Sequence, residues 1–164
     1  MDPRISILQA FGWDPAKELT INQLAKSIKK SYAYTNGHVW AMVGEGILVT
    51  KKVGPSLLCK VISANELARG WMAIVAALQK QEWMQQHPDK LAWLEIIHKF
   101  KDQMFFAVAD NEKLIVVCRE GILLHGDFSC LNKLSFKEYL KERGYPLICP
   151  IYGFEKFMEM IADA

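Results

Sequence analysis

The densest run of side chains able to do chemistry is KKSYAYTNGH, Lys29 to His38. Lys29 and Lys30 offer two amines suited to phosphate oxygens. Ser31, Tyr32, Tyr34, Thr35, Asn36 and His38 then present hydroxyl, amide and imidazole groups along two helical turns. These types match a nucleic acid. An Asn amide pairs with the edge of adenine, a His reaches a base edge or a phosphate, and Tyr and Thr reach phosphates or the methyl of thymine. Tyr32 and Tyr34 are equally suited to a core, where aromatic residues at helical spacing often sit. A second basic pair, Lys51 and Lys52, lies further along in a strand-like run and is also suited to phosphate.

Other chemistry has little support. His87, His98 and His125 have no partner at metal-ligand spacing, and no His-Glu-x-x-His run occurs. The four cysteines, Cys59, Cys118, Cys130 and Cys149, form no Cys-x-x-Cys pair and read as buried, reduced thiols. Ser129 and Cys130 lack the Gly-x-Ser-x-Gly setting of a nucleophile. No metal and no cofactor is expected.

The elements that must position these residues follow from pattern. Ile5 to Phe11 reads as a short apolar helix closed by Gly12. Thr20, with Gln23 three residues on, has the form of a capping box, and Ile21, Leu24, Ala25 and Ile28 give the helix it opens one buried face. Ser31 opens another helix to about Glu45, with Tyr34, Val39, Met42 and Val43 as inward positions. Leu48–Val53 and Leu57–Ile62 read as strands around the turn Gly54-Pro55-Ser56. Two helices this close in sequence cross at a steep angle, and with the basic hairpin they give the order of a winged helix-turn-helix. Ser63 with Glu66 reads as a second capping box, opening a helix whose stripe is Leu67, Trp71, Ile74, Val75 and Leu78. Pro88 breaks it, and a further helix follows. Met104–Ala109 and Leu114–Cys118 are β-rich. Ser135 with Glu138 reads as a third capping box opening a helix to Gly144, Leu147–Ile151 as a strand and Phe154–Ile161 as the last helix.

The fold class expected is therefore α+β: an N-terminal winged helix-turn-helix over residues 1–62, a helical connector over 63–101, and a small α/β domain over 102–164. About half of the 164 residues are hydrophobic and under a quarter charged, which fits a folded globular protein. Residues 1–62 hold eight Lys/Arg against four Asp/Glu, a net of +4, and the remainder holds twelve against fourteen, a net of −2. The basic surplus thus lies where phosphate contact is expected. No run approaches the length of a membrane span, and the opening MDPRISILQAFGW makes a poor signal peptide, so a cytoplasmic protein is expected. Trp71, Trp83 and Trp93, with Met72 and Met84, make the connector apolar on more than one face, which suits either a homodimer interface or a core shared within one chain.

The stretch from Lys26 to Leu78 resembles archaeal winged-helix regulators. The features that carry the likeness are the Ser-Tyr-x-Tyr run at Ser31, Tyr32 and Tyr34, Gly46 before the hairpin, Gly54-Pro55 at its tip, and the helix start at Asn65, Glu66, Leu67 and Arg69. The resemblance covers roughly residues 18–80 and implies binding to double-stranded DNA in transcription regulation. Such proteins often carry a minimal nucleotidyltransferase-like domain after the connector, and KERGYPLICPIYGFEKFMEM looks like its last strand and helix. That activity needs a Gly-Ser turn and an Asp-x-Asp pair to hold magnesium at the transferring phosphate. FFAVADNEKLIVVCREG has neither; Asp110 and Glu112, in an expected turn, and Gly126-Asp127 come nearest. The C-terminal domain is read as degenerate and not enzymatic, an accessory unit for a small molecule or a protein partner. The rival readings are a divergent nucleotidyltransferase using Asp110, Glu112 or Asp127, and a winged helix that makes only protein contacts.

Overall fold

A computed structural model describes residues 2–110, 113–118, 128–143 and 148–162. The protein is α+β and divides into two compact units, Met1–Val75 and Ala76–Ala164. The division falls inside a long helix and not at either end of a separate connector. That helix serves both units: Arg4 lies 5.4 Å from the ring of its Trp71, while its Trp83 and Met84 pack on the second unit's core. Among the described residues no helix is long and apolar enough to cross a membrane.

In the first unit, α1 (Pro3–Phe11) starts two residues earlier than expected, because Asp2 Oδ1 accepts from the Arg4 amide at 2.8 Å and Pro3 occupies the first turn. It buries Ile5, Ile7, Leu8 and Phe11. After β1 (Leu19–Thr20), α2 (Ile21–Ser27) opens on the expected capping box. The Gln23 amide donates to Thr20 Oγ1 at 3.2 Å, and the Thr20 amide donates to Gln23 Oε1 at 2.8 Å. α3 (Tyr32–Gly44) follows, capped by Ser31, whose Oγ accepts from the Tyr34 amide at 3.2 Å. β2 (Leu48–Val53) and β3 (Ser56–Val61) form a hairpin in which Val53 faces Ser56, so the loop is Gly54-Pro55 alone. Gly54 takes φ 58°, as tight hairpin loops require at that position. β3 is the middle strand of an antiparallel sheet of order β1-β3-β2.

α4 (Glu66–Gln86) departs from the sequence reading in two ways. Its cap is Asn65 and not Ser63: the Ala68 amide donates to Asn65 Oδ1 at 3.0 Å. Its buried positions are Ala68, Met72, Val75 and Ala76, whereas Leu67 and Ile74 of the expected stripe are exposed. Leu67 and Ile74 suggest one rotation of the helix, whereas Ala68, Met72 and Ala76 take the inside beside Val75, the one residue of the expected stripe that is fully buried.

The second unit continues with a short 3-10 turn, then α5 (Ala92–Phe100), β4 (Met104–Asp110), β5 (Lys113–Cys118), β6 (Phe128–Leu131), α6 (Lys133–Arg143), β7 (Ile148–Tyr152) and α7 (Phe154–Ala162). The sheet order is β6-β5-β4-β7, with β5 parallel to β6 and the other pairs antiparallel. β6 has no counterpart in the sequence reading. α6 is capped by Asn132, whose Oδ1 accepts from the Ser135 amide at 2.8 Å, so the third expected capping box is also displaced. Gly144 and Leu147 lie outside the described residues. On one sheet face Phe106 meets Phe136 of α6 and Phe157 of α7 edge-on, at 5.1 and 5.7 Å. On the other, Ala107, Ala109, Leu114, Val116 and Ile151 pack with Trp93 and Ile97 of α5. A sheet covered on both sides needs strands apolar at nearly every position, and MFFAVA, before the terminal Asp110, and LIVVC have that form.

β7 runs through Pro150, which a central strand would not tolerate. It is an edge strand, and the pairing shifts from Ala107–Tyr152 to Val108–Pro150 around it. Directly after it, Gly153 has φ 68°, and a Cβ there would strike the Phe105 carbonyl oxygen and lie 2.8 Å from Phe106 Cα. Neither obstacle is the end of a flexible side chain. Gly153→Ala is therefore expected to cost about 2 kcal/mol or more of stability, from a left-handed backbone and a forced shift of β4. A lower urea midpoint for the second unit checks this, and an unchanged midpoint would show that β4 yields freely.

Candidate nucleic-acid interface

The turn between α2 and α3 is held by the end of α2. Ile28 N donates to Leu24 O at 3.0 Å, Lys29 N to Lys26 O at 3.2 Å, and Lys30 N to Ala25 O at 3.0 Å. This pattern needs a left-handed residue, and Lys29 supplies it at φ 54°, the one non-glycine residue with positive φ among those described. Both lysines are exposed, and Lys30 Nζ lies 5.9 Å from the ring of Tyr34. That ring stands edge-on to His38 at 4.5 Å.

The rotation of α3 sorts the expected contacts. Thr35, Val39 and Met42 are buried. Thr35 thereby leaves the set of surface candidates: it is fully enclosed, and its hydroxyl donates to Ser31 O at 3.0 Å. A Thr in the second turn of a helix satisfies itself in this way, so its polarity gives no outward bias. Tyr34, expected inward, is 41% exposed, and Tyr32 is 50% exposed. Ser31 is exposed at the cap. Asn36 and His38 are half-buried, on the two shoulders of the helix. Trp40, at 47% exposure, is an outward residue that the sequence reading missed. Its position one residue past buried Val39 was the available signal. The middle of the outward face is Ala33, Gly37 and Ala41, all exposed. From Tyr32 to Gly44 the helix carries no Lys, Arg, Asp or Glu.

The hairpin register separates the second lysine pair. Lys51 faces Leu58 and Lys52 faces Leu57 across the strands, so the two amines leave opposite sides of the sheet. Lys52 shares its side with buried Leu48. Lys51 shares the other with Val49 and Val53, both exposed, and with half-buried Lys60, which lies opposite Val49. Lys60 is therefore the neighbour of Lys51, a relation fixed by the two-residue loop. All of these lysines except Lys60 are exposed, as phosphate contact requires.

The far end of α3 is tied to α1. Arg4 Nε donates to Glu45 Oε2 at 3.0 Å and Arg4 Nη2 to Glu45 Oε1, a two-pronged ion pair at the helix C-cap. The hydrogen bond from Arg4 holds the Glu45 carboxyl below its ordinary range.

The second unit offers less. Asp110 is not in a turn: it ends β4, is buried, and accepts a hydrogen bond from the Tyr139 hydroxyl. Burial and that carboxylate push the Tyr139 hydroxyl well above its usual range. Glu112, His125, Gly126 and Asp127 lie outside the described residues. Burial pushes the Cys59 and Cys149 thiols up to about 11, and burial with the neighbouring Cys130 raises Cys118, so these three remain thiols at neutral pH. His87 Nδ1 lies 2.9 Å from Trp83 O, its ring stacked 4.4 Å from that indole, and His98 is exposed. Among the described residues no three His, Cys, Asp or Glu side chains gather as a metal site would need.

A left-handed lysine costs about 1 kcal/mol that glycine avoids. Lys29→Gly is expected to leave the first unit as stable or up to about 1 kcal/mol more stable, measured by urea unfolding. A fall in stability would mean that the lysine side chain itself supports the turn. Comparison of the sequence with protein-family models and with curated proteins returned no match.

Proposed function

We propose that the first unit is a winged helix-turn-helix that binds double-stranded DNA, with α3 in the major groove and the β2–β3 hairpin as the wing, and that the chain regulates transcription. The observation that carries this reading is the outward face of α3. It is exposed, uncharged and bordered by Lys29 and Lys30 at its start, and the neighbouring hairpin carries Lys51 and Lys60 on one side. Further support comes from the element order α1-β1-α2-α3-β2-β3, with β3 between β1 and β2. The resemblance to archaeal winged-helix regulators points the same way. Tyr32, Tyr34, Asn36 and His38 line the groove side in this reading, Ser31 and the lysines hold phosphates, and Thr35 supports from within.

The second unit acts as an accessory domain in the same reading, for a small molecule or a protein partner. Its one described candidate carboxylate for metal, Asp110, already accepts from Tyr139. Magnesium-dependent nucleotide binding by the purified chain would favour the nucleotidyltransferase instead. The chain acts as a homodimer through α4, since Leu67 and Ile74 expose 48% and 43% of their surface on one side of that helix. A two-fold dimer matches paired half-sites on DNA.

Titration into a labelled random-sequence duplex at two salt concentrations tests the main reading. Affinity should fall steeply with salt. The variants Lys29→Gln with Lys30→Gln, and Lys51→Gln with Lys60→Gln, should each weaken binding to all sequences alike. Each should also lower the log–log salt slope by about 0.9 for every phosphate no longer neutralised. Absence of binding at low salt would overturn the reading. Light scattering tests the dimer: Leu67→Lys with Ile74→Lys should shift the chain from dimer to monomer, and an unaltered mass would remove α4 from the interface.

A further inference from the structure

Sequence readers of the major groove usually place Arg, Lys, Asn or Gln at the middle of the recognition face, where paired hydrogen bonds meet base edges. α3 has none there. Its outward middle is Ala33, Gly37 and Ala41, and above Gly37 the space is open, with no atom within 4 Å of where a Cβ would stand. Asn36 is set about 100° round the helix from Gly37, towards the buried side, and His38 about 100° the other way. His38 is also held against Tyr34 at 4.5 Å. The flanks of the bare middle are aromatic: Tyr34 on one side and Trp40 on the other, both more than 40% exposed. Cationic charge lies off this helix, on Lys29 and Lys30 before it and on the hairpin. The surface therefore attracts a polyanion from its borders while offering an apolar, closely approachable centre.

Only one base presents an apolar group on the floor of the major groove, the 5-methyl of thymine. We propose that α3 selects thymine-rich duplex DNA through its apolar face, with Ala33 and Ala41 against thymine methyls and Tyr34 and Trp40 closing the sides, in place of paired hydrogen bonds to base edges. The inference rests on the DNA-binding reading above and goes further by naming the sequence class. Ala33 and Ala41 are eight residues apart, about 12 Å along the axis. That spans roughly four base pairs at about 3.4 Å each, so two to three methyls are within reach. Each methyl buried is worth about fourfold in affinity.

The test uses the full chain and three duplexes of equal length: alternating adenine–thymine, the same with deoxyuridine replacing every thymidine, and alternating guanine–cytosine. Uracil keeps the hydrogen-bonding edge and lacks only the methyl. The thymine duplex should bind about fifteenfold more tightly than the uracil duplex, the product of two methyls. Ala33→Gln and Ala41→Gln change exposed helix positions that tolerate glutamine. They should shrink the thymine-to-uracil ratio towards one and leave the salt slope unchanged. Salt-sensitive binding of equal strength to the thymine and uracil duplexes would overturn methyl selection and leave the DNA-binding reading standing. No binding to any of the three at low salt would overturn both.

Discussion

Burial of Thr35, Val39 and Met42 fixes how α3 is turned about its own axis, and what the first unit presents outward follows from that. Three enclosed side chains at i, i+4 and i+7 make one stripe, and apolar burial of Val and Met contributes about 1.5–3 kcal/mol each. The Thr in the stripe brings a hydroxyl, which would be costly to enclose unbonded, but Ser31 O accepts it at 3.0 Å. Ser31 thus acts twice, capping the helix with its side chain and holding Thr35 with its carbonyl. The Arg4–Glu45 pair secures the other end of α3. Its side chains are about one-third exposed, so it adds at most about 1 kcal/mol and sets position more than stability. With the rotation set by the core, Tyr32, Tyr34 and Trp40 have nowhere to go but out.

The two sheets solve different problems. In the first unit the hairpin starts with Leu48 buried and Val49 exposed, and towards its tip Lys51, Lys52 and Val53 are all exposed although Lys51 and Lys52 leave opposite sides. In the second, helices lie on both faces and the strands lose alternation altogether. That arrangement also explains the fate of the polar groups within it. Asp110 at the end of β4 is far enough inside to need a donor, and Tyr139 of α6 provides one. The thiols of Cys118 and Cys149 occupy positions where small apolar side chains would serve equally well, which fits their raised thiol ranges.

Local signals in the sequence are legible where a single interaction decides the structure. Thr20 with Gln23, Ser31, and Gly54-Pro55 each specify one hydrogen-bonded feature, and each stands where the pattern puts it. Signals fail where two residues compete for one role. Asn65 displaces Ser63 and Asn132 displaces Ser135, because asparagine caps as well as serine and the acidic residue three positions on is only half of the box. Rotation is least legible. Weighing side chains by bulk points α4 inward through Leu67 and Ile74, while close packing selects Ala68, Met72 and Ala76. The same weighting puts Tyr34 inside and Thr35 outside on α3, the reverse of their places. β6 leaves almost no mark, being four residues long.

The placement of charge on this molecule bears on how affinity and selection divide in the DNA-binding reading. Lysine contacts to phosphate release counterions and weaken as salt rises. Contacts between apolar groups have no such dependence, since their drive is the release of water from apolar surface. On most recognition helices the two are mixed, because an Arg or Lys reading a base also feels the phosphates. α3 has no such residue, and the lysines stand on the turn and the hairpin. If this unit binds DNA as proposed, raising salt would lower the affinity for every sequence by the same factor and leave the ratio between sequences nearly untouched. In that reading a change of ionic strength alters how much DNA the surface binds, while the apolar face decides which DNA.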